Sequence, residues 1–158
     1  MTANEIRAIP LFENVSRRGR KTVARLFDRV TLPAGRAITA EGESAREFFV
    51  IIDGRADVIR DGRSIATLGA GDFFGEIGLV GERRTATVIA TSDLDVAVIT
   101  RRDFHQLIAE CPDVASTVLS TGSQRAVALL RDVAATRNEN RAAPPAVTPV
   151  NGVPLLGC

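Results

Sequence analysis

Apolar positions change their spacing twice along the chain. Near the N-terminus Ile6, Ile9 and Phe12 make a short stripe at helical spacing, broken near Pro10. Ser16 then offers a hydroxyl N-cap to a helix with Val23, Leu26, Phe27 and Val30 along one side. Helices are therefore expected over residues 1–29. From 30 to 100 short runs rich in Val, Ile and Phe alternate with Gly and Asp turns, which reads as strand. Phe48-Phe49-Val50-Ile51-Ile52 ends at Asp53-Gly54, and Ala56-Asp57-Val58-Ile59-Arg60 ends at Asp61-Gly62. Asp-Gly suits a tight hairpin because Gly accepts a positive φ. Further runs follow at Ser64–Leu68, Thr85–Ala90 and Leu94–Ile99. Helical spacing returns over 101–137, first with Phe104, Leu107 and Ile108, then after Pro112 with Val114, Val118, Ala126, Leu129, Leu130 and Val133 near one face. Gly122 weakens that second helix by about 1 kcal/mol relative to Ala. The Pro- and Ala-rich residues 138–158 lack any period and read as a flexible extension.

About eight short strands between helical ends predict a mainly β fold with flanking helices. The expected form is an eight-stranded jelly-roll-like β-barrel, with N-terminal helices and two C-terminal helices, in one domain over 1–137.

Composition narrows the function by exclusion. A net charge of +1 gives no general electrostatic case for nucleic acid or an anionic membrane. The aromatics are all Phe, which argues against base-stacking platforms. The basic run Arg17-Arg18-Gly19-Arg20-Lys21 is read as a solvated helical turn, because nothing aromatic or basic continues it. Cys111 and Cys158 make no disulfide framework, so a cytoplasmic location is expected. Neither a signal peptide, a membrane span nor a prenylation motif is expected. A lone histidine, His105, is too few for a metal centre built on a β-roll, and no nucleophile–base arrangement is suggested. No catalytic residue and no metal ligand is assigned. His105 is expected on the solvated side of its helix.

The chemistry concentrates in Gly71-Asp72-Phe73-Phe74-Gly75-Glu76-Ile77-Gly78-Leu79, followed by Arg83-Arg84-Thr85-Ala86-Thr87-Val88. An ionised Glu76 only accepts hydrogen bonds, which suits a sugar hydroxyl. Arg84 supplies a planar fork of donors matched to phosphate oxygens. Ile77 and Leu79 would pin a short helix whose first N–H groups, around Gly75 to Ile77, face the anion.

This stretch resembles the phosphate-binding cassette of the cyclic nucleotide-binding domain family, which reads roughly Phe-Gly-Glu-aliphatic-small-Leu, a variable segment, then Arg, a small residue and Ala. Here these are Phe74 to Leu79, Val80 to Arg83, then Arg84-Thr85-Ala86. The variable segment is slightly shorter than in many relatives. Arg84 rather than Arg83 takes the phosphate role because it directly precedes Thr85-Ala86. The resemblance implies a ligand set of Gly75, Glu76, Ile77, Arg84, Thr85 and Ala86. Gly75 and Glu76 would hold the ribose, Arg84 and Thr85 the cyclic phosphate, and a small Ala86 would let the ligand approach. Thr85 is compatible with cAMP and with cGMP. Val58 and Leu68 would line the base pocket, and Leu129 and Leu130 of the last helix would cap the purine with an apolar lid. Arg125 and Arg131 are expected on a solvated face.

The function implied is non-catalytic sensing of cAMP, or of cGMP, passed on through the C-terminal helix to a protein effector or a second copy in a homodimer. No other cofactor is implied. Transcription factors of the catabolite activator class share the pattern but continue into a helix-turn-helix unit; the Pro-rich tail does not, so no direct DNA binding is expected. The competing reading is a domain of the same fold that serves as a protein-interaction module without binding nucleotide.

Overall fold

The computed structural model describes residues 1–142. Helix α1, Ala3–Arg7, opens with a capping box: Thr2 accepts from the Glu5 N–H while Glu5 reaches back to the Thr2 N–H. A 3-10 turn at Pro10–Phe12 leads to helix α2, Arg17–Leu26, whose N-cap Ser16 accepts from the Gly19 N–H at 3.1 Å. Strands β1 (Asp28–Leu32), β2 (Ala37–Thr39), β3 (Glu47–Asp53), β4 (Ala56–Arg60), β5 (Arg63–Leu68) and β6 (Phe73–Phe74) follow. A short helix α3, Glu76–Gly81, interrupts them before β7 (Thr87–Ala90) and β8 (Leu94–Thr100). Helices α4 (Arg101–Glu110) and α5 (Pro112–Ala142) complete the described chain. Met1–Ala126 forms one compact unit, and the described residues from Val127 on belong to a second. The first carries both sheets and the cassette.

Eight strands are present, as expected, but they do not close into a barrel. They form two antiparallel four-stranded sheets, ordered β1-β8-β3-β6 and β2-β7-β4-β5. The ring is open at both edges: β1 makes no ladder with β2, and the two-residue β6, paired to β3, makes none with β5. Val30 also departs from its expected place on a helix. Phe27 is already extended, so Val30 lies in β1 opposite Val96 and is partly exposed.

The apolar run of β3 is buried on both faces, which is why it does not alternate in polarity. Its residues Phe49 and Ile51 meet Ala56, Leu68, Phe74, Val88, Leu94 and Val96 in a core between the sheets. Phe48 and Val50 point the other way, into a second core with Phe12, Val23, Phe104, Leu107 and Val114 from the helices. The Phe48 ring lies 4.9 Å from Phe104 and 5.5 Å from Phe73, centre to centre. Leu79 of α3 belongs to this helix-side core. The cassette is thereby packed onto the helical layer by one leucine.

α4 begins at Arg101, with Thr100 as N-cap: the Thr100 hydroxyl accepts from the Asp103 N–H at 3.2 Å. α5 begins at Pro112, where a missing N–H costs nothing. It runs on to Ala142, past 137, and passes through Gly122 unbroken. His105 is exposed on α4. Residues 143–158, which hold most of the expected extension, lie outside the described residues.

Candidate functional site

Gly75 starts α3 in a conformation suited to glycine, at φ 94°. A Cβ here would stand 2.7 Å from Arg84 Nη1 and 2.9 Å from the Glu47 carbonyl oxygen. Gly78 is crowded too: its Cβ would lie 2.7 Å from the Ala45 Cβ. The cassette backbone therefore presses close to β3 and to the arginine behind it.

Arg84 is only 6% exposed. Its Nη2 donates to Glu47 Oε2 at 3.1 Å, and its guanidinium lies 5.6 Å from the centre of the Phe49 ring. Nη1 is buried and finds no acceptor among the described residues. Burial pulls the Arg84 guanidinium below its ordinary range, against the opposing charges of Glu47 and Glu43. An arginine so placed remains cationic and is poised to take an anionic oxygen. Its backbone is fixed by hydrogen bonds to the loop before β3: Arg84 N to Glu43 O at 2.8 Å and Gly42 N to Arg84 O at 2.9 Å. Arg83 differs. It is exposed and donates to the Gly42 carbonyl at 2.8 Å, on the outside of the same loop.

Glu76 is the first residue of α3 and is 5% exposed. Its Oε1 accepts from Arg125 Nη1 at 2.6 Å. The same nitrogen donates to the Phe73 carbonyl at 2.7 Å, and the guanidinium sits 5.1 Å from the Phe73 ring centre. Arg125 is thus not on a solvated face, as expected from its spacing, but turned onto the cassette. Gly122, one turn earlier on α5, would place a Cβ 3.2 Å from Glu76 Cγ, so the helix lies directly over the carboxylate. Sequence reasoning missed this pair because its partners are far apart in the chain and no local period marks them.

Ile77, Thr85 and Ala86 are half-buried beside these groups, and the Ala86 carbonyl accepts from Thr39 Oγ1 at 3.3 Å. Val58 is half-buried on β4 and Leu68 is buried at the end of β5, both packed with the core between the sheets. Leu130, in the second unit, is 70% exposed, and the Leu129 side chain lies outside the described residues. Another missed residue is Arg101, whose Nη2 donates to the Leu79 carbonyl at 2.7 Å and so satisfies the C-terminal part of α3.

The site thus holds one buried cation with a spare donor, one buried carboxylate already engaged by a second arginine, and a glycine that permits close approach. Among the described residues no three His, Cys, Asp or Glu side chains gather as a metal site requires. The family model described as the cyclic nucleotide-binding domain matches residues 29–111. This chain belongs to the cyclic nucleotide-binding domain family. A cyclic nucleotide-gated potassium channel of Rhizobium etli is 32% identical over 121 residues, covering 76% of this chain and 34% of the relative. The cAMP-dependent protein kinase regulatory subunit of Schizosaccharomyces pombe is 31% identical over 108 residues, covering 67% and 26%. Among solved structures, a second cyclic nucleotide-binding domain of a protein kinase A regulatory subunit, bound to Sp-2Cl-cAMPS, aligns with a TM-score of 0.72 at 26% identity, covering 85% of this chain and 90% of that one. The chain spans about a quarter to a third of the curated relatives' length, 26% to 34%. Among the described residues no helix of this domain is long and apolar enough to cross a membrane.

Proposed function

We propose that this domain is a non-catalytic sensor of a cyclic nucleotide, cAMP first and cGMP second. The observation that carries the reading is Arg84 Nη1: a buried guanidinium donor, without an acceptor among the described residues, beside the glycine N-cap of α3. A buried charged donor left unmatched is costly, and a cyclic phosphate oxygen supplies the match. Glu76 and Gly75 take the ribose hydroxyls, and Thr85 and the half-buried Ala86 complete the phosphate side. Relatives that are cAMP-dependent protein kinase regulatory subunits, and structural neighbours bound to cAMP or its analogue, support cAMP as the first ligand to try.

Transmission runs through Arg125. It belongs to α5 yet bonds the carboxylate that the ribose would use, so a ligand on Glu76 meets the C-terminal helix directly. Leu79 and Arg101 give a second route, from the cassette into α4. A protein effector or a second copy then reads α5. Val58 and Leu68 remain assigned to the base pocket, and a cytosolic setting fits the cysteine usage.

The interaction-module alternative keeps one specific observation in its favour: Glu76 is already paired with Arg125. Titration with cAMP and cGMP of the protein and of its Glu76→Gln variant separates the two. Saturable binding weakened by Glu76→Gln supports the sensor; no binding of either nucleotide leaves the module.

A further inference from the structure

Helix α2 breaks two local rules for helical charge. Its sequence, RRGRKTVARL, has five cations and no anion, and three of those cations sit at the positive end of the helix dipole. Arg18, Lys21 and Arg25 follow one another at spacings of three and four residues, where like charges face and repel each other. All three are exposed, and among the described residues none of them takes part in an ion pair. The domain as a whole is near neutral at +1, so this concentration is local rather than a consequence of composition. Uncompensated departures of this kind point to a surface that is matched from outside.

The stripe borders a groove of about 740 Å³ between α1, α2 and the end of α4. Arg18, Lys21 and Arg25 line it together with Ala3, Ala24 and Glu110. We propose that this groove docks an acidic peptide segment of a partner protein. The cations stand about 4.5 Å and about 6 Å apart along the helix axis. Carboxylates on alternate residues of an extended segment recur every ~6.6 Å, and the long Lys and Arg side chains take up the difference. Glu110 selects between kinds of anion. One of its oxygens already accepts from Gln106, and the other faces a partner best if that partner brings donors. A peptide offers backbone N–H groups to Glu110 while its carboxylates meet the cations. A phosphate backbone or a lipid headgroup surface brings little but anions to the same rim. The apolar side of α2 is also spent inward, with Val23 fully buried, so no side chains remain on it to enter a bilayer.

The probe is a fluorescent, end-capped peptide of alternating glutamate and alanine, measured by anisotropy at low and at physiological ionic strength. The comparison protein is the charge reversal Arg18→Glu, Lys21→Glu, Arg25→Glu. A control carries equal charge change on exposed arginines of the sheets and their loops, Arg36→Glu, Arg55→Glu and Arg63→Glu. Binding should weaken by at least about tenfold in the first variant and by much less in the control. Reversing the charge of the rim with Glu110→Lys should weaken discrimination rather than affinity, by letting a short DNA duplex or phosphatidylserine vesicles bind as well as the peptide. Thermal unfolding of each variant checks that the helices remain folded. Equal weakening in the variant and the control, no peptide binding at low salt, or tighter binding of the unaltered protein to the duplex or the vesicles than to the peptide would each overturn the proposal.

Discussion

A guanidinium buried beside a glycine N-cap sets the terms for every neighbouring residue. Arg84 shares one arm with Glu47 and holds the other toward the start of α3. Replacing it with Ala should weaken cyclic nucleotide binding on the order of 100-fold, because a charge-assisted fork is lost inside the protein. Arg84→Lys should recover little, since an ammonium restores the charge without the two-armed geometry. Calorimetric titration of both variants checks this. Gly75→Ala meets Arg84 Nη1 and the Glu47 carbonyl at once and needs a positive φ, so a loss of about 1–3 kcal/mol in urea unfolding is expected. Cys111 behaves oppositely to a reactive thiol. Burial first, then Glu110 and Asp113, push its pKa up. The thiol therefore stays protonated in the folded protein at pH values where an unfolded one is partly thiolate. Mass spectrometry should find the Cys111 peptide alkylated by iodoacetamide near pH 8 far more slowly in buffer than in urea. Equal rates would show that the site opens readily.

Coupling between elements rests on two arginines that cross from helix to cassette. Arg125 ties α5 to the first residue of α3, and Arg101 ties α4 to the Leu79 carbonyl. A double-mutant cycle with Arg125→Met and Glu76→Gln should return a coupling energy of about 1–2 kcal/mol, since the carboxylate is buried and the arginine partly so. Additive effects would mean that the pair is incidental. These crossings mark the limit of what the sequence reveals. The capped start of α2, the apolar run of β3 and the Pro112 start of α5 could be read locally, because each follows from a cap, a continuous apolar run or a proline ring. The Arg125–Glu76 bond could not, since helical spacing alone leaves Arg125 as well suited to water. Glu47 as the partner of Arg84 is equally invisible, because it depends on which strand lies behind the cassette. The jelly-roll expectation held in its strands and flanking helices, which local patterns reveal, but which edge strands pair across the sheets was not legible, and the two sheets do not close into a barrel.

At the scale of the whole molecule, the two cores divide the labour. One fills the space between the sheets, and the other joins the β3 face to the helices through Phe48, Phe104 and Leu79. In the proposed function, a cassette held by the second core and by Arg125 of α5 passes a ligand contact on to the helical layer. The most direct measurement is calorimetric titration of the domain with cAMP, with Arg84→Ala as its control. Saturable binding to one site, lost in the variant while its thermal unfolding remains cooperative, is the predicted result. Absence of heat with cAMP and with cGMP, at protein concentrations able to reveal micromolar binding, would contradict the account.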